Sequence, residues 1–182
     1  MKFDPAGVRL WATYYGGNDQ EEGYSCAFDQ IGNVYLAGFT WSTWPNGGIA
    51  SGGHQDVNGG GKDAFLVKFD ATGTRLWATY YGGPGKDGGN ACAVDSEGNV
   101  YLAGYAGSLV DIASGGHQNT SGGLNDSFLA KFDPAGIRLW ATYYGGSGDE
   151  AAYFPAGVGV ATDLLGNVYL TSLTSSTTNI AA

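Results

Sequence analysis

An eight-residue motif that occurs three times is the feature that most constrains how this chain can fold. Leu-Trp-Ala-Thr-Tyr-Tyr-Gly-Gly occupies residues 10–17, 76–83 and 139–146, and Gly-Asn-Val-Tyr-Leu recurs at 32–36, 98–102 and 166–170. A repeat of this length is typical of stacked supersecondary units, each of which buries its apolar surface against its neighbours.

The segments within one repeat have the character of β-strands. They are short, rich in β-branched and aromatic residues, and bounded by Gly, Asn and Asp. In one full copy we predict four strands at about 91–95, 99–105, 126–132 and 137–144. The links after the first and third strands open with Asp95 and Asp133 and contain Gly, as tight hairpins do. Apolar residues on both faces indicate that each sheet is covered on both sides.

These features predict an all-β fold, a β-propeller segment of about three four-stranded antiparallel blades in an incomplete ring. We expect residues 1–182 to form one such segment. Residues 1–17 would end one blade with its last strand, 18–83 and 84–146 would be full blades, and 147–182 would supply the first two strands of another. A closed ring needs about four to eight blades. We therefore expect a part of a longer propeller, or two chains paired head to tail as a six-bladed homodimer.

The repeated residues resemble the SBBP family of bacterial β-propeller repeats over almost the whole chain. The resemblance rests on Asp63 to Asp70, Arg75 to Gly83 and Gly98 to Gly104, with their counterparts in the other copies. It implies propeller blades and a location outside the cell or in the cell envelope of a bacterium, although the first residues do not form a signal peptide. The family brings no established catalytic residues that could be transferred to this chain.

The charge balance and the cysteines exclude several classes of function. Eight Lys and Arg against seventeen Asp and Glu give a net charge of −9, which disfavours nucleic acid as a partner. No apolar run reaches the roughly 18 residues of a membrane helix, so we expect no membrane insertion. Cys26 and Cys92 occupy equivalent positions at which the third copy has Val160. A position that accepts both Cys and Val favours a small apolar side chain. We therefore predict that both thiols are free and buried.

The long connections of a propeller share one rim, and here that rim is acidic. They are the loops from second to third strand, at about 40–62 and 106–125, and the loops from one blade to the next. We call this surface the acidic rim; it carries Lys62 and Lys86 against Asp19, Glu21, Glu22, Asp56, Asp87, Asp111, Asp149 and Glu150. The rim is predicted to attract cations or basic partners, or else simply to keep the protein soluble.

Six residues on these loops are the candidate binding residues: Trp41, Trp44, His54, Asp87, His117 and Asp149. The two tryptophans could stack on a sugar or pack their own loop. The histidines lie in matching Ala-Ser-Gly-Gly-His-Gln segments and could bind a metal or act as bases, although packing within the loop explains them better. Gly82 to Asp87 matches the start of a calcium-binding nonapeptide but lacks its nine-residue repetition. We therefore predict no metal, no cofactor and no catalytic residue.

The function predicted from the sequence is that of a non-enzymatic scaffold or binding module, which meets a protein or carbohydrate ligand at the acidic rim. The first alternative is a glycan-binding, lectin-like propeller that uses Trp41 and Trp44. The second alternative is an enzyme whose axial site is completed by other blades or chains.

Overall fold

The computed structural model describes residues 1–43, 48–150 and 157–178, and every regular element in these ranges is a β-strand. There are twelve strands in chain order: β1 (Lys2–Phe3), β2 (Arg9–Trp11), β3 (Glu21–Phe28), β4 (Val34–Thr40), β5 (Asp63–Phe69), β6 (Arg75–Tyr81), β7 (Asp87–Val94), β8 (Val100–Ala106), β9 (Asp126–Phe132), β10 (Arg138–Tyr144), β11 (Gly159–Thr162) and β12 (Val168–Thr171). These ranges contain no helix that could cross a membrane.

The strands form antiparallel sheets in sequence order. β3-β4-β5-β6 and β7-β8-β9-β10 are complete four-stranded sheets, which we call the first and second blades, while β1-β2 and β11-β12 are two-stranded. The predicted strands match the second blade closely, except that its inner strand begins at Asp87 rather than near residue 91. A register shift between Gly89 and Ala91 lets the strand continue pairing through this glycine-rich stretch.

The sheets pack face to face around their inner strands. β7 contacts β3, β4 and β5 on one side and β11 on the other. Between the two blades lie fully buried apolar side chains such as Leu66, Leu102 and Phe128. The described residues thus form an all-β segment of propeller blades that does not close into a ring, as the sequence predicted.

Asp95 organises the hairpin between the first two strands of the second blade. Its Oδ1 accepts hydrogen bonds from the backbone N–H groups of Glu97 and Asn99 at 3.0 and 2.9 Å. Its Oδ2 accepts bonds from the Asn99 amide at 2.9 Å and the Tyr101 hydroxyl at 3.2 Å. Gly98 has a φ of 82°, a conformation that glycine adopts without strain. The Gly-Asn-Val-Tyr motif and the preceding Asp95 therefore form one hydrogen-bonded turn.

The last strand of the first blade carries two side chains that hold the second blade. In β6, Trp77 Nε1 donates to the Pro134 carbonyl at 3.1 Å, and the Tyr81 hydroxyl donates to the Ile112 carbonyl. The same pair of contacts joins β1-β2 to the first blade, where Trp11 and Tyr15 donate, each at 3.0 Å, to Ala71 and Ile49. The repeated Trp-Ala-Thr-Tyr-Tyr sequence thus builds the junctions between blades.

The loop from β4 to β5 runs back along the outer edge of its own blade. Ser51 exchanges two backbone hydrogen bonds of 3.0 Å with Ala78 of β6, and Tyr80 N donates to the Gln55 carbonyl at 2.9 Å. The loop from β8 to β9 repeats the exchange, with bonds of 2.9 Å between Ser114 and Ala141. We call these loop segments, residues 49–55 and 112–118, the belt. These loops are therefore long enough to pair with the last strand of their own blade and also to form part of the rim.

The two cysteines are free, as predicted, but only one of them is buried. Cys92 lies between the blades, where its thiol is 3.7 Å from Ser25 Oγ and burial raises its pKa to about 12. Cys26 is exposed. The expectation of a buried thiol was wrong for Cys26. The face of β3 that carries Cys26 is not covered, whereas β3 covers the equivalent face of β7.

Candidate functional site

Three acids assigned to the rim from the sequence are structural. Glu21, Asp87 and Glu150 each accept a hydrogen bond from the backbone N–H of the second Gly of the repeated motif, four residues earlier, at 2.9, 2.9 and 3.0 Å. Asp87 and Glu150 are fully buried. Asp87 was predicted to be a binding residue, but it is not available at the surface of the rim, because its carboxylate holds the loop that enters β7.

The rim is consequently less acidic than its composition suggests. The five remaining acids are Asp19, Glu22, Asp56, Asp111 and Asp149. Asp149 is half-buried, and its Oδ1 accepts a 2.8 Å hydrogen bond from the Asn125 amide. Of the two lysines, Lys62 is half-buried and its Nζ lies 4.0 Å from the Phe39 ring centroid. Exposed negative charge is thus concentrated on few positions.

The structure forms a polar cleft between the two complete blades. Its volume is about 480 Å³, and it is lined by His54, Gln55, Gly59, Gly82, Gly83, Asp111, Ala113 and Arg138. The loop from β4 to β5 of the first blade supplies His54, Gln55 and Gly59, the loop between the blades supplies Gly82 and Gly83, and the second blade supplies Asp111, Ala113 and Arg138. Side chains from two repeats therefore converge on one space.

Asp111 adopts a backbone conformation that is unusual for a residue with a side chain. Its φ is 66°, and it is the only residue other than glycine with a positive φ in the described ranges. Asp tolerates this region better than most residues, at a cost of about 1 kcal/mol or more. Such conformations concentrate at binding sites, where the surrounding structure maintains them. The side chain of Asp111 is exposed.

His54 contributes a neutral imidazole to the cleft. Its ring lies 6.4 Å from the ring of Tyr81 and 6.3 Å from that of Phe132, between centroids. Burial, with a smaller effect from the charge of Arg138, lowers the pKa of His54 below its ordinary value of 6.5. At neutral pH His54 can therefore both donate and accept hydrogen bonds. The Arg138 guanidinium donates a 3.3 Å bond to the Ile112 carbonyl.

His117, Trp41 and Trp44 lie apart from this cleft. His117 is exposed at the corresponding position of the second belt and does not line the space that contains His54. Trp41 is half-buried, with Lys86 Nζ 5.4 Å from its ring centroid, so a cation already covers one face of the indole. Trp44 lies outside the described residues, as does the Tyr153-Phe154-Pro155 segment of the third copy.

At the cleft on the opposite rim, Asp29, Lys68 and Asp95 are held in ion pairs. This cleft has a volume of about 300 Å³, and Asp29, Lys68, Asp95 and Pro134 are among its lining residues. Lys68 Nζ lies 4.0 Å from Asp29 and donates to the Pro134 carbonyl at 3.1 Å, while Lys131 lies 3.4 Å from Asp95. These groups satisfy one another. The cleft at His54 is therefore the better candidate site.

The structure brings together residues that the sequence did not connect. His54 and Asp111 were named separately, and neither Gln55 nor Arg138 was named as a candidate residue. No local signal in the sequence places Arg138 beside His54, because the two meet only across a junction between blades. Within residues 1–43, 48–150 and 157–178, no group of three or more His, Cys, Asp or Glu side chains is arranged to hold a metal ion.

The fold and the repeated junctions define a β-propeller repeat protein. Residues 76–109, from the last strand of the first blade through β8, match the family model of the SBBP beta-propeller repeat, so the chain contains this repeat.

Two curated proteins are similar to the chain over most of its length. The regulatory protein FlaEY of Caulobacter vibrioides is 30% identical over 132 residues, which cover 72% of this chain. An uncharacterized WD repeat-containing protein, L264 of Acanthamoeba polyphaga mimivirus, is 27% identical in an alignment of 190 positions that covers 89% of this chain. The chain spans only 13% of the length of either relative.

Proposed function

We propose that this chain is a non-catalytic binding module, and that its ligand is a segment of a partner protein held on the acidic rim at the cleft between the blades. The observation that carries the proposal is the convergence of His54, Gln55, Asp111 and Arg138 on one open space. Their donors and acceptors suit the backbone and polar side chains of a peptide.

The exposed charges of the rim favour a basic segment in that partner. Asp111 lies at the cleft, and Asp19 and Asp56 are exposed on neighbouring loops. Complementary charge accelerates association and selects among partners more than it raises affinity. The two relatives are a regulatory protein and a WD repeat-containing protein, which is consistent with a binding or scaffolding role. A location outside the cell or in the cell envelope belongs to the same proposal.

A peptide array of graded net charge, probed with the purified chain, tests this function. We expect cationic peptides to bind better than neutral or anionic ones. Asp111→Asn, which retains a residue tolerant of positive φ, should weaken binding about tenfold, the equivalent of one lost charge pair of roughly 1.4 kcal/mol. The matched control is Glu97→Gln at the opposite rim, for which we expect no change. Binding without charge preference, or an equal loss in the control, would contradict the proposal.

The glycan-binding and enzymatic alternatives have their own discriminating results. The position of Lys86 over Trp41 does not favour a sugar-stacking platform. A glycan array with binding that is lost in Trp41→Ala would nevertheless replace the peptide by a carbohydrate. Turnover in a hydrolase and lyase screen, removed by His54→Ala, would establish an enzyme instead.

A further inference from the structure

Each junction that follows a complete blade encloses two carboxyl groups from different blades. At the first junction they belong to Asp63, which begins β5, and to Asp87, which begins β7, and both residues are fully buried. The two groups meet over the backbone of Gly82. A Cβ atom at Gly82 would clash with both Asp63 Oδ1 and Asp87 Oδ2, the latter at 2.9 Å.

The hydrogen bonds of this pair leave one oxygen without a partner. Asp87 accepts three bonds, from Gly83 N at 2.9 Å and from the backbone N–H and hydroxyl of Ser108 at 3.0 and 2.6 Å. Asp63 Oδ2 accepts a 2.6 Å bond from Gly59 N, but Asp63 Oδ1 is buried with no partner. A buried and unpaired carboxylate oxygen is strongly unfavourable. A proton on Asp63 removes that penalty and provides a donor facing Asp87.

The next junction repeats the arrangement with a glutamate. A Cβ atom at Gly145 would clash with Asp126 Oδ1 and with Glu150 Oε2, the latter at 2.7 Å. Asp126 Oδ2 accepts bonds from Gly122 N and Ser121 Oγ, whereas Asp126 Oδ1 is buried without a partner, as is Asp63 Oδ1. The same carboxyl oxygen therefore lacks a hydrogen-bond partner at the equivalent position of both blades.

The surroundings do not neutralise these pairs. Asp63 faces Tyr80, and Asp126 faces Tyr143. The groups that face Asp87 are the Lys62 ammonium and the phenols of Tyr81, Tyr105 and Tyr143. The two ion pairs formed by described residues, Lys68–Asp29 and Lys131–Asp95, lie at the other rim. The phenols are neutral because their pKa values are raised, and Lys62 is a cation whose charge acts on Asp87.

We propose that each of these blade junctions is closed by a carboxylic acid and a carboxylate that share one proton, so that rising pH loosens the contact between neighbouring blades. This device does not require a ligand at the cleft. The unprotonated junction places two negative charges together in a buried space, where repulsion is poorly screened.

The direction of the pKa shifts agrees with this geometry. Burial, aided by the charge of Asp87 and opposed by the Gly59 N–H, raises the pKa of Asp63 to about 7. Burial and Glu150 likewise raise the pKa of Asp126. Burial opposes ionisation of Glu150 as well, but hydrogen bonds from Ser176, Thr174 and Gly146 outweigh it and lower its pKa. Burial raises the pKa of Asp87 as well, against its hydrogen bonds from Ser108 and Gly83. We place the shared proton on Asp63 and on Asp126, because their Oδ1 atoms have no other hydrogen-bond partner.

The sign of the pH dependence follows from linkage. An unfolded aspartate loses its proton near pH 4, whereas folded Asp63 keeps its proton to about pH 7. The folded state therefore binds more protons between these values, and stability falls as pH rises through that window. His54 acts in the opposite sense, because its pKa is lowered in the folded state, so it cannot produce the effect.

Urea unfolding of the purified chain between pH 5 and 8 tests the proposal. We expect the unfolding equilibrium constant to rise by up to tenfold per pH unit for each shared proton between pH 5 and 7, and then to level off. Asp63→Asn should remove much of this slope, because the amide supplies a permanent donor toward Asp87 and an acceptor for Gly59. Asp126→Asn does the same at the second junction, and exposed Asp56→Asn is the matched control.

Two results of the urea experiment would overturn the proposal. One is a wild-type stability that is constant or rises from pH 5 to 7, and the other is a slope unchanged in both Asn variants. If Asp63→Asn does not fold, Asp126→Asn alone still decides, because its junction is separate. Infrared difference spectra between pH 5 and 8 give an independent readout: the carbonyl band of a protonated carboxyl group should be present at pH 5, lost at pH 8 and reduced in either variant. A spectrum without this band would also refute the shared proton.

Discussion

The packing of Trp77 on the turn of the second blade can be tested with alanine substitutions at two glycines that share a backbone conformation. Gly136 has a φ of 86° and Gly98 a φ of 82°, so both changes carry the same left-handed strain of about 1–2 kcal/mol. Their surroundings differ. A Cβ at Gly136 would stand 2.8 Å from Trp77 Cδ2, whereas at Gly98 the nearest atom, of Pro134, is at 3.6 Å.

Trp77 has little freedom to move away from an added methyl group. Its side chain is buried, packs edge-on against Tyr35 at 6.1 Å between centroids, and is fixed by its bond to the Pro134 carbonyl. Overpacking of this kind costs a further 1–3 kcal/mol or so. We therefore expect Gly136→Ala to lower the free energy of unfolding by about 2–5 kcal/mol and Gly98→Ala by about 1–2 kcal/mol.

Urea denaturation followed by tryptophan fluorescence measures both losses, and a double-mutant cycle isolates their cause. In a Trp77→Ala background the ring is absent, so Gly136→Ala should then cost no more than Gly98→Ala does. Equal losses for the two glycine variants in the wild-type background would refute the steric argument. So would a cycle without coupling between Trp77 and Gly136.

Three further outcomes follow from the junctions and the buried groups. Tyr81→Phe removes the bond to the Ile112 carbonyl and should lower the free energy of unfolding by about 1 kcal/mol in urea denaturation. Asp87→Ala leaves three donors without their acceptor and should lower it by about 2–3 kcal/mol in the same assay. Cys26 should react with a thiol reagent in the native protein and Cys92 only after unfolding, so the titrated thiols should rise from one to two in denaturant.

Matched variants distinguish these effects from general damage. Tyr14 is fully exposed and Asp56 is exposed, so Tyr14→Phe and Asp56→Ala should change stability by less than about 0.5 kcal/mol. Cys26→Ser should abolish the native thiol reaction. Rapid native reaction of both thiols would show that the blades separate readily, contrary to the buried position of Cys92.

Much of the fold could be predicted from the sequence, because the pattern of strands and their order recur along the chain. Tight turns opened by Asp, as at Asp95 and Asp133, are local features with local signatures. The extension of β7 back to Asp87 was missed because Gly88 and Gly89 have low strand propensity, and pairing with β8 overrides it.

The candidate site was harder to predict, because its chemistry depends on burial and on contacts between repeats. Asp87 and Glu150 were counted as surface charges, since acids are usually exposed. A signal for their burial was present in the sequence. In every copy an acid stands four residues after the second Gly of the repeated motif, the position from which its carboxylate accepts a hydrogen bond from that Gly N–H. No such spacing connects Arg138 with His54, because propeller neighbours meet across a whole repeat.

The belt limits the ways in which a partner can recognise this protein. Since residues 49–55 and 112–118 already occupy hydrogen-bonding groups of β6 and β10, an extended peptide cannot simply dock as an additional strand at the outer edge of either complete blade. Recognition must instead depend on side chains and loop tips, which vary independently of the scaffold. Blades built on this plan can change their specificity by substitution in the loops while the perimeter remains resistant to amyloid-like stacking.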